Sequence, residues 1–329
     1  MNYELKYMQR CIQLARCGEA GAPPNPMVGA VIVHNGRIIG EGYHRRCGGP
    51  HAEVNAIRSV KDEALLKDST IYVSLEPCSH YGKTPPCADL IIEKGIPRVV
   101  VGCMDPFAKV NGQGIRKLRD AGIEVVVGVM EQECLQLNRK FITFHRQHRP
   151  WVTLKWAQSE DGFMDAVRQP GEEPVKFSSA YTQTLVHRLR ALSQAIMVGT
   201  RTVLLDNPTL TARLWVGPDP LRVTIDRKGI LPDSVHLKDG KVPTVIYPHG
   251  DLPVILHDLY QKGIQSLLVE GGARLIQQFV EEGLWDEARV EVAPLVLGNG
   301  VPVPRLESAR LAGEAVLDGR KILNYLHEM

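Results

Sequence analysis

The sequence predicts two consecutive α/β domains, on three observations. Its 329 residues are long for one core and comfortable for two. Strand and helix patterns alternate through both halves, the mark of helices layered on a sheet. Between them lies a polar run, His145-Arg146-Gln147-His148-Arg149-Pro150, whose proline stops any helix from continuing. The boundary is placed there, giving domains of residues 1–147 and 148–329.

In the first half, Leu5, Met8, Ile12 and Ala15 share one helical face. Residues 28–33 read as a buried strand, and Asn35-Gly36 is a hairpin signal before Arg37-Ile38-Ile39. A helix is expected over 52–59, a strand over 70–74, a helix after Pro86, a strand over 98–102, a helix over 113–121 and a strand over 124–127. The second half opens with a strand at Trp151–Lys155. It continues with a helix over 179–191 and strands over 195–198, 222–225, 244–247 and 266–269. A helix after Gly271-Gly272 and a strand over 288–292 complete it. There is no internal repeat.

Hydrophobic content of 44% with 23% charged residues fits a soluble globular protein. The net charge of +2, without a basic block, gives no footprint for nucleic acid. The N-terminus lacks a secretory pattern, and no apolar run approaches the roughly 18 residues that span a bilayer. Seven cysteines, odd in number, do not form a disulfide framework. A cytoplasmic protein with no membrane or nucleic-acid partner is expected, and the sequence is compatible with a homo-oligomer.

The chemistry concentrates in one constellation. His51-Ala52-Glu53 opens a helix, Pro77-Cys78 follows a strand, and Pro86-Cys87 opens another helix. One imidazole and two thiolates suit zinc and leave a fourth tetrahedral position for water, whose pKa the metal lowers. Glu53, two residues past the first ligand, is expected to carry the proton from water to a departing amine. Zinc nucleobase deaminases share His-x-Glu followed by Pro-Cys-x-x-Cys. Here eight residues, Ser79 to Pro86, separate the cysteines.

With that spacing the chain resembles the bifunctional deaminase/reductases of riboflavin biosynthesis. The resemblance is carried by Pro24-Asn25-Pro26-Met27-Val28-Gly29, Gly42-Tyr43-His44, His51-Ala52-Glu53, the run from Glu76 to Cys87, Asp105-Pro106 and Asn111-Gly112-Gln113-Gly114. In the second half it is carried by Arg188-Leu189-Arg190, the run from Thr202 to Arg213, Val269-Glu270-Gly271-Gly272 and Ala293 to Gly298. It implies a cytidine-deaminase-like three-layer α/β/α domain followed by a dihydrofolate-reductase-like α/β domain. It also implies two reactions on a phosphorylated pyrimidine: hydrolysis of the ring 2-amino group, then NADPH reduction of the ribosyl arm to a ribityl chain.

The resemblance also distributes roles. For the deaminase, Asn25, His44 and Asp105 would meet the ring and ribose, and His80 and Lys83 the phosphate. For the reductase, Lys155, Arg190, Leu210, Arg213 and Glu270 would bind substrate, the arginines taking its phosphate. Gln158, Phe177, Thr202, Asp206 and Gly272 would hold the cofactor, with Gly271-Gly272 letting the backbone approach a phosphate. The chain departs from the family in three places. Phe107 stands where Asn is usual. Phe163-Met164-Asp165 replaces an Arg-Thr-Ala run after Gly162, and Phe177 replaces a Trp. Two other readings stay open. One is a nucleoside or tRNA deaminase with an unrelated second domain. The other is a deaminase whose reductase-like half serves only as a binding or docking module.

Overall fold

The computed structural model describes residues 2–79, 85–105, 112–169 and 171–328. The chain forms two compact units, Met1–Gln147 and His148–Met329.

The first unit begins with α1 (Asn2–Arg16). Met8, Ile12 and Ala15 are buried as the periodicity predicts, but Leu5 is exposed, and Tyr7 and Cys11 complete the inward face. The hairpin of β1 (Gly29–His34) and β2 (Arg37–Tyr43) turns on Asn35 and Gly36, both at positive φ, as a two-residue hairpin turn requires. Then come α2 (Ala52–Ser59), β3 (Thr70–Leu75), α3 (Cys87–Glu93), β4 (Arg98–Cys103), α4 (Gln113–Asp120) and β5 (Glu124–Val127). Two helices that the sequence pattern did not reveal close the unit, α5 (Glu131–Leu137) and α6 (Arg139–Gln147).

The five strands form one sheet, β2-β1-β3-β4-β5. The pairs β2/β1 and β1/β3 are antiparallel, and β3/β4 and β4/β5 are parallel. Successive residues of β1 alternate between faces. Ala30 and Ile32 pack with α2 and α3, while Val31 and Val33 pack with α1. The result is the expected three layers.

The second unit is built on β6 (Trp151–Gln158), β7 (Phe163–Asp165), α7 (Ala180–Ala191), β8 (Ala195–Val198), α8 (Thr200–Asp206), β9 (Leu221–Ile225) and β10 (Thr244–Tyr247). It continues with α9 (Leu252–Gln261), β11 (Ser266–Glu270), α10 (Ala273–Glu281) and β12 (Glu287–Val292). It ends with β13 (Val301–Pro302), β14 (Ala309–Leu317) and β15 (Arg320–His327). Eight strands form a sheet in the order β10-β9-β8-β11-β6-β12-β15-β14, and β13 pairs with β7. The run from β10 to β12 is parallel, so the carboxyl ends of β9, β8, β11 and β6 share one edge.

One sheet face packs Leu154, Trp156 and Val269 against Leu256 of α9 and Phe279 of α10. The other packs Ile196, Val198 and Leu268 against Val203 of α8 and Leu189 of α7. The β14–β15 hairpin was not anticipated, although Asp318-Gly319, both at positive φ, is the same kind of signal as Asn35-Gly36.

One close approach in the first unit seats the helix that carries Glu53. A Cβ on Gly42 would collide with the backbone of Ala52 and Ala56, so α2 lies directly on β2. We expect Gly42→Ala to push α2 outward, at the roughly 1–3 kcal/mol typical of overpacking. The variant should lose bound metal and deaminase activity while the second unit's activity persists. Unchanged metal content would show that this contact does not position the ligands.

Candidate active sites

His51 caps the N-terminus of α2 with extended backbone, and its imidazole makes no capping hydrogen bond to the helix. Cys87 is the first residue of α3, behind Pro86. Cys78 follows the carboxyl end of β3, where its sulfur accepts the Cys87 N–H at 3.3 Å and its carbonyl accepts the Ala88 N–H at 3.1 Å. These segments bring His51 Nδ1, Cys78 Sγ and Cys87 Sγ within 4.8 Å of one another. Nδ1 stands 3.5 Å from Cys78 Sγ and 3.3 Å from Cys87 Sγ. Tetrahedral zinc with ordinary bond lengths separates such donors by roughly 3.5 Å. The donor chemistry and the spacing both fit zinc.

The cluster's electrostatics match. Hydrogen bonding to Cys87, then to His51, pulls the Cys78 thiol down to about 4 against the effect of burial. The Cys87 thiol is pushed up by its partner Cys78 and by burial. The Cys78 sulfur raises His51 to about 9. Glu53, 3% exposed, is held up to about 7 by burial. A carboxyl near neutrality can both accept and donate a proton.

Asn25 and His44 meet beside this cluster. Asn25 Nδ2 lies 3.1 Å from His44 Nε2, and His44 Nδ1 lies 3.1 Å from the Pro50 carbonyl. A carbonyl only accepts, so Nδ1 carries the proton and Nε2 accepts from Asn25. Burial lowers the His44 pKa and keeps the ring neutral. The loop carrying Asn25 is tied down next door, where Met27 exchanges two hydrogen bonds with the Asn138 side chain, at 2.8 and 2.9 Å. Asp105 is buried just past β4. His80, Lys83 and Phe107 lie outside the described residues.

In the second unit, register places Glu270, Lys155 and Arg289 side by side across β11, β6 and β12. Arg190 grips Glu270 with two hydrogen bonds, at 2.9 and 2.7 Å, and donates to the Thr211 carbonyl at 3.1 Å. Arg190 and Glu270, expected to face substrate separately, are thus each other's partners. Burial would raise the Glu270 carboxyl, but Arg190 and Lys155 outweigh it and keep it ionised. Burial lowers Lys155, with Glu270 and Glu291 opposing.

Gly271 and Gly272 connect β11 to α10, both at positive φ. A Cβ on Gly272 would sit 3.2 Å from Thr202 Oγ1 and 3.9 Å from the Gly199 nitrogen. The bare backbone, the Thr202 hydroxyl and the start of α10 form a cradle that a side chain would fill, which suits a dinucleotide phosphate.

Two family models match: the cytidine and deoxycytidylate deaminase zinc-binding region over residues 1–103, and the RibD C-terminal domain over residues 150–315. The chain is 39% identical over 320 residues to the riboflavin biosynthesis protein RibD of Aquifex aeolicus, covering 90% of this chain and 88% of that one. It is 38% identical to RibD of Escherichia coli, covering 89% and 88%. Among solved structures, a deaminase/reductase of Thermotoga maritima superposes with a TM-score of 0.90 at 35% identity over 99% of both chains. RibD of Acinetobacter baumannii gives 0.89 at 34% identity, covering 100% of this chain and 99% of that one. The chain belongs to the RibD family.

Other expectations drawn from RibD resemblance find mixed placement. Arg213 is exposed, steadied by Thr209 at 3.1 Å. Leu210 buries its side chain in the core at φ 55°, leaving only its backbone for a ligand. Phe177, expected to help hold the cofactor, is 6% exposed, its side chain buried in the unit. The Gln158 side-chain oxygen, Oε1, accepts the Trp156 indole N–H at 2.8 Å. Asp206 is held by Arg168 at 2.6 Å.

That last contact answers the altered run after Gly162. Asp165 at its end pairs with the same buried Arg168, also at 2.6 Å, so the substituted residues bring polar groups of their own to α8.

Two residues carry no local signal in the sequence. His187, 2% exposed, accepts the Leu214 N–H at 3.3 Å and so braces the segment carrying Arg213. Its pKa is lowered by burial, then by Arg190 and Arg213.

Glu76 is the other. Its carboxylate accepts backbone N–H groups from Asp105 (3.3 Å), Gly112 (2.9 Å), Gly114 (3.0 Å) and Ile115 (3.3 Å). It fastens the Cys78 segment to the start of α4, where a Cβ on Gly114 would collide with the Pro77 carbonyl. An amide at this position turns a donor toward donors, leaving buried groups unpaired at roughly 1–3 kcal/mol each. Glu76→Gln should therefore speed zinc loss to a chelator and lower deamination at least tenfold, with the second unit's activity as a control for folding. Wild-type zinc retention would refute this positioning role.

Proposed function

We propose that residues 1–147 deaminate and residues 148–329 reduce the same pyrimidine phosphate. In this reading the chain acts as a bifunctional enzyme of riboflavin biosynthesis on 2,5-diamino-6-(5-phosphoribosylamino)pyrimidin-4-one. The observation that carries the first half is the tetrahedral spacing of His51, Cys78 and Cys87 beside buried Glu53.

Zinc held by those three donors supplies a Lewis acid that makes water nucleophilic near neutral pH. Glu53 accepts the proton released as water attacks the amine-bearing ring carbon. It then returns that proton to the nitrogen, so that ammonia leaves and a carbonyl remains. Asn25, fixed by His44, orients the ring edge.

In the second unit the Gly271-Gly272 cradle and Thr202 hold the dinucleotide, and NADPH supplies the hydride. Lys155, beside the Arg190–Glu270 pair, faces the sugar being reduced, and Arg213 reaches its phosphate. The Arg168 network around Asp206 favours an active reductase over a docking module, because the altered run still presents ordered polar groups to α8. No helix among the described residues is long and apolar enough to cross a membrane. A cytoplasmic enzyme with a small-molecule substrate is in keeping with this reading.

Mass spectrometry of products with and without NADPH tests both halves. Exchange of amine for oxygen is expected in either case, and gain of two hydrogens only with NADPH. An unreduced product at saturating NADPH would leave the second unit a binding module. Glu53→Ala should keep stoichiometric zinc yet lose deamination by about 10²–10⁴-fold, the usual worth of a positioned acid–base group. Chelation of wild-type protein should abolish deamination and spare NADPH oxidation on pre-deaminated substrate. Turnover by the Glu53 variant at the wild-type rate would overturn the proton-carrier role.

A further inference from the structure

Lys155 stands among charges that are committed elsewhere. Register sets Glu270 on one side of it, across β11, and Arg289 on the other, across β12. Paired residues on neighbouring strands project from the same face of a sheet. Ala157, two residues along β6, pairs with Glu291, so Glu291 lies on that face as well. Helix α7 brings Arg190 and Thr182 to these carboxylates.

Neither carboxylate is left for the lysine. Glu270 takes two hydrogen bonds from Arg190, at 2.9 and 2.7 Å. Glu291, 2% exposed, accepts the Ser178 hydroxyl at 2.9 Å and the Thr182 hydroxyl at 2.7 Å. Among the described residues, no side chain or carbonyl hydrogen-bonds the Lys155 ammonium or the guanidinium of half-buried Arg289. An ammonium carries three N–H donors, and here they are kept for a ligand.

Arg289 reaches this amine through charge alone. Burial destabilises the Lys155 ammonium, Glu270 and Glu291 support it, and Arg190 and Arg289 oppose it. The two arginines differ in kind. Arg190 is neutralised at contact distance by Glu270, with His187 of α7 close to both. Arg289 has Glu291 and Glu287 two residues away on its own strand and Arg188 of α7 opposing it. A guanidinium does not give up its proton at working pH, so Arg289 is a fixed charge beside a titrating one.

We propose that Arg289 is a positioning residue for the reduction, a permanent like charge beside Lys155 that makes the ammonium yield its proton to the ribosyl ring oxygen. The inference rests on the reductase reading, in which Lys155 faces the sugar. The ribosylamino nitrogen pushes its lone pair toward C1′, the bond from C1′ to the ring oxygen breaks, and that oxygen takes the Lys155 proton. Hydride from NADPH then adds to C1′. One proton and one hydride account for the two hydrogens gained, and water reprotonates the lysine.

The test is the pH profile of kcat/KM for reduction of pre-deaminated substrate by the zinc-loaded full chain at saturating NADPH. Deaminase rate and NADPH binding serve as folding controls for the two units. Wild type should lose activity as pH rises through the titration of Lys155, and Lys155→Ala should be slow at every pH and lack that alkaline limb. Removing a neighbouring positive charge stabilises an ammonium. Arg289→Gln should therefore move the limb up by about half a pH unit or more, roughly a threefold fall in acid dissociation. Its plateau should drop about twofold or more, because a weaker acid donates less readily. Arg289→Lys, which keeps the charge, should retain the wild-type profile. Asn324→Asp places a carboxylate opposite Arg289 on β15 and should shift the limb in the same direction, even if the Gln variant does not fold. A limb unmoved by these substitutions, or one that persists in Lys155→Ala, would overturn the role of Arg289. Absence of NADPH oxidation by wild type would instead overturn the reductase reading.

Discussion

The first unit depends on one electrostatic requirement: three electron-rich donors from three separate segments must stay within bonding reach of a single ion. Unscreened thiolates in a buried place repel each other and lose solvation, so the scaffold must hold them until a cation is present. It does so with backbone. The first amide of α3 points at Cys78, the cap of α2 is given over to His51, and Glu76 gathers four amides to lock the Cys78 segment onto α4. Glycine makes this possible where helices must lie close, at Gly42 beneath α2 and Gly114 against Pro77.

The second unit meets its requirement differently. Its parallel strands bring their carboxyl ends to a common edge, the usual place for ligands in α/β sheets. Several buried charges of this unit neutralise one another, as in Arg190 with Glu270 and Arg168 with Asp165 and Asp206. Pairing of this kind fixes side chains that a sheet alone would leave free to turn.

Much of this was legible in the sequence, for identifiable reasons. The strands and the metal ligands announce themselves locally, through alternating or continuous apolar runs and through the order His-x-Glu, Pro-Cys, Pro-Cys. Legibility ended where partners are far apart in sequence. Nothing near Arg190 says that its partner is eighty residues away. Nothing near Glu76 names the amides it collects, and the burial of Phe177 depends on the unit's packing. Leu5 failed because an apolar residue at the right spacing can still fall at the edge of the buried stripe. The terminal hairpin is a different matter, since the Asp318-Gly319 signal is as local as the one at Asn35-Gly36.

The Pro50–His44–Asn25 relay fixes the sense of one side-chain amide. The Pro50 carbonyl orients the imidazole, and the imidazole orients the amide. Asn25 gives one of its two N–H groups to His44 and turns its oxygen toward the Cys47 thiol, at 3.7 Å. Flipping that amide would set an oxygen against the lone pair of His44 Nε2, so a single proton on an imidazole dictates which side of Asn25 donates and which accepts.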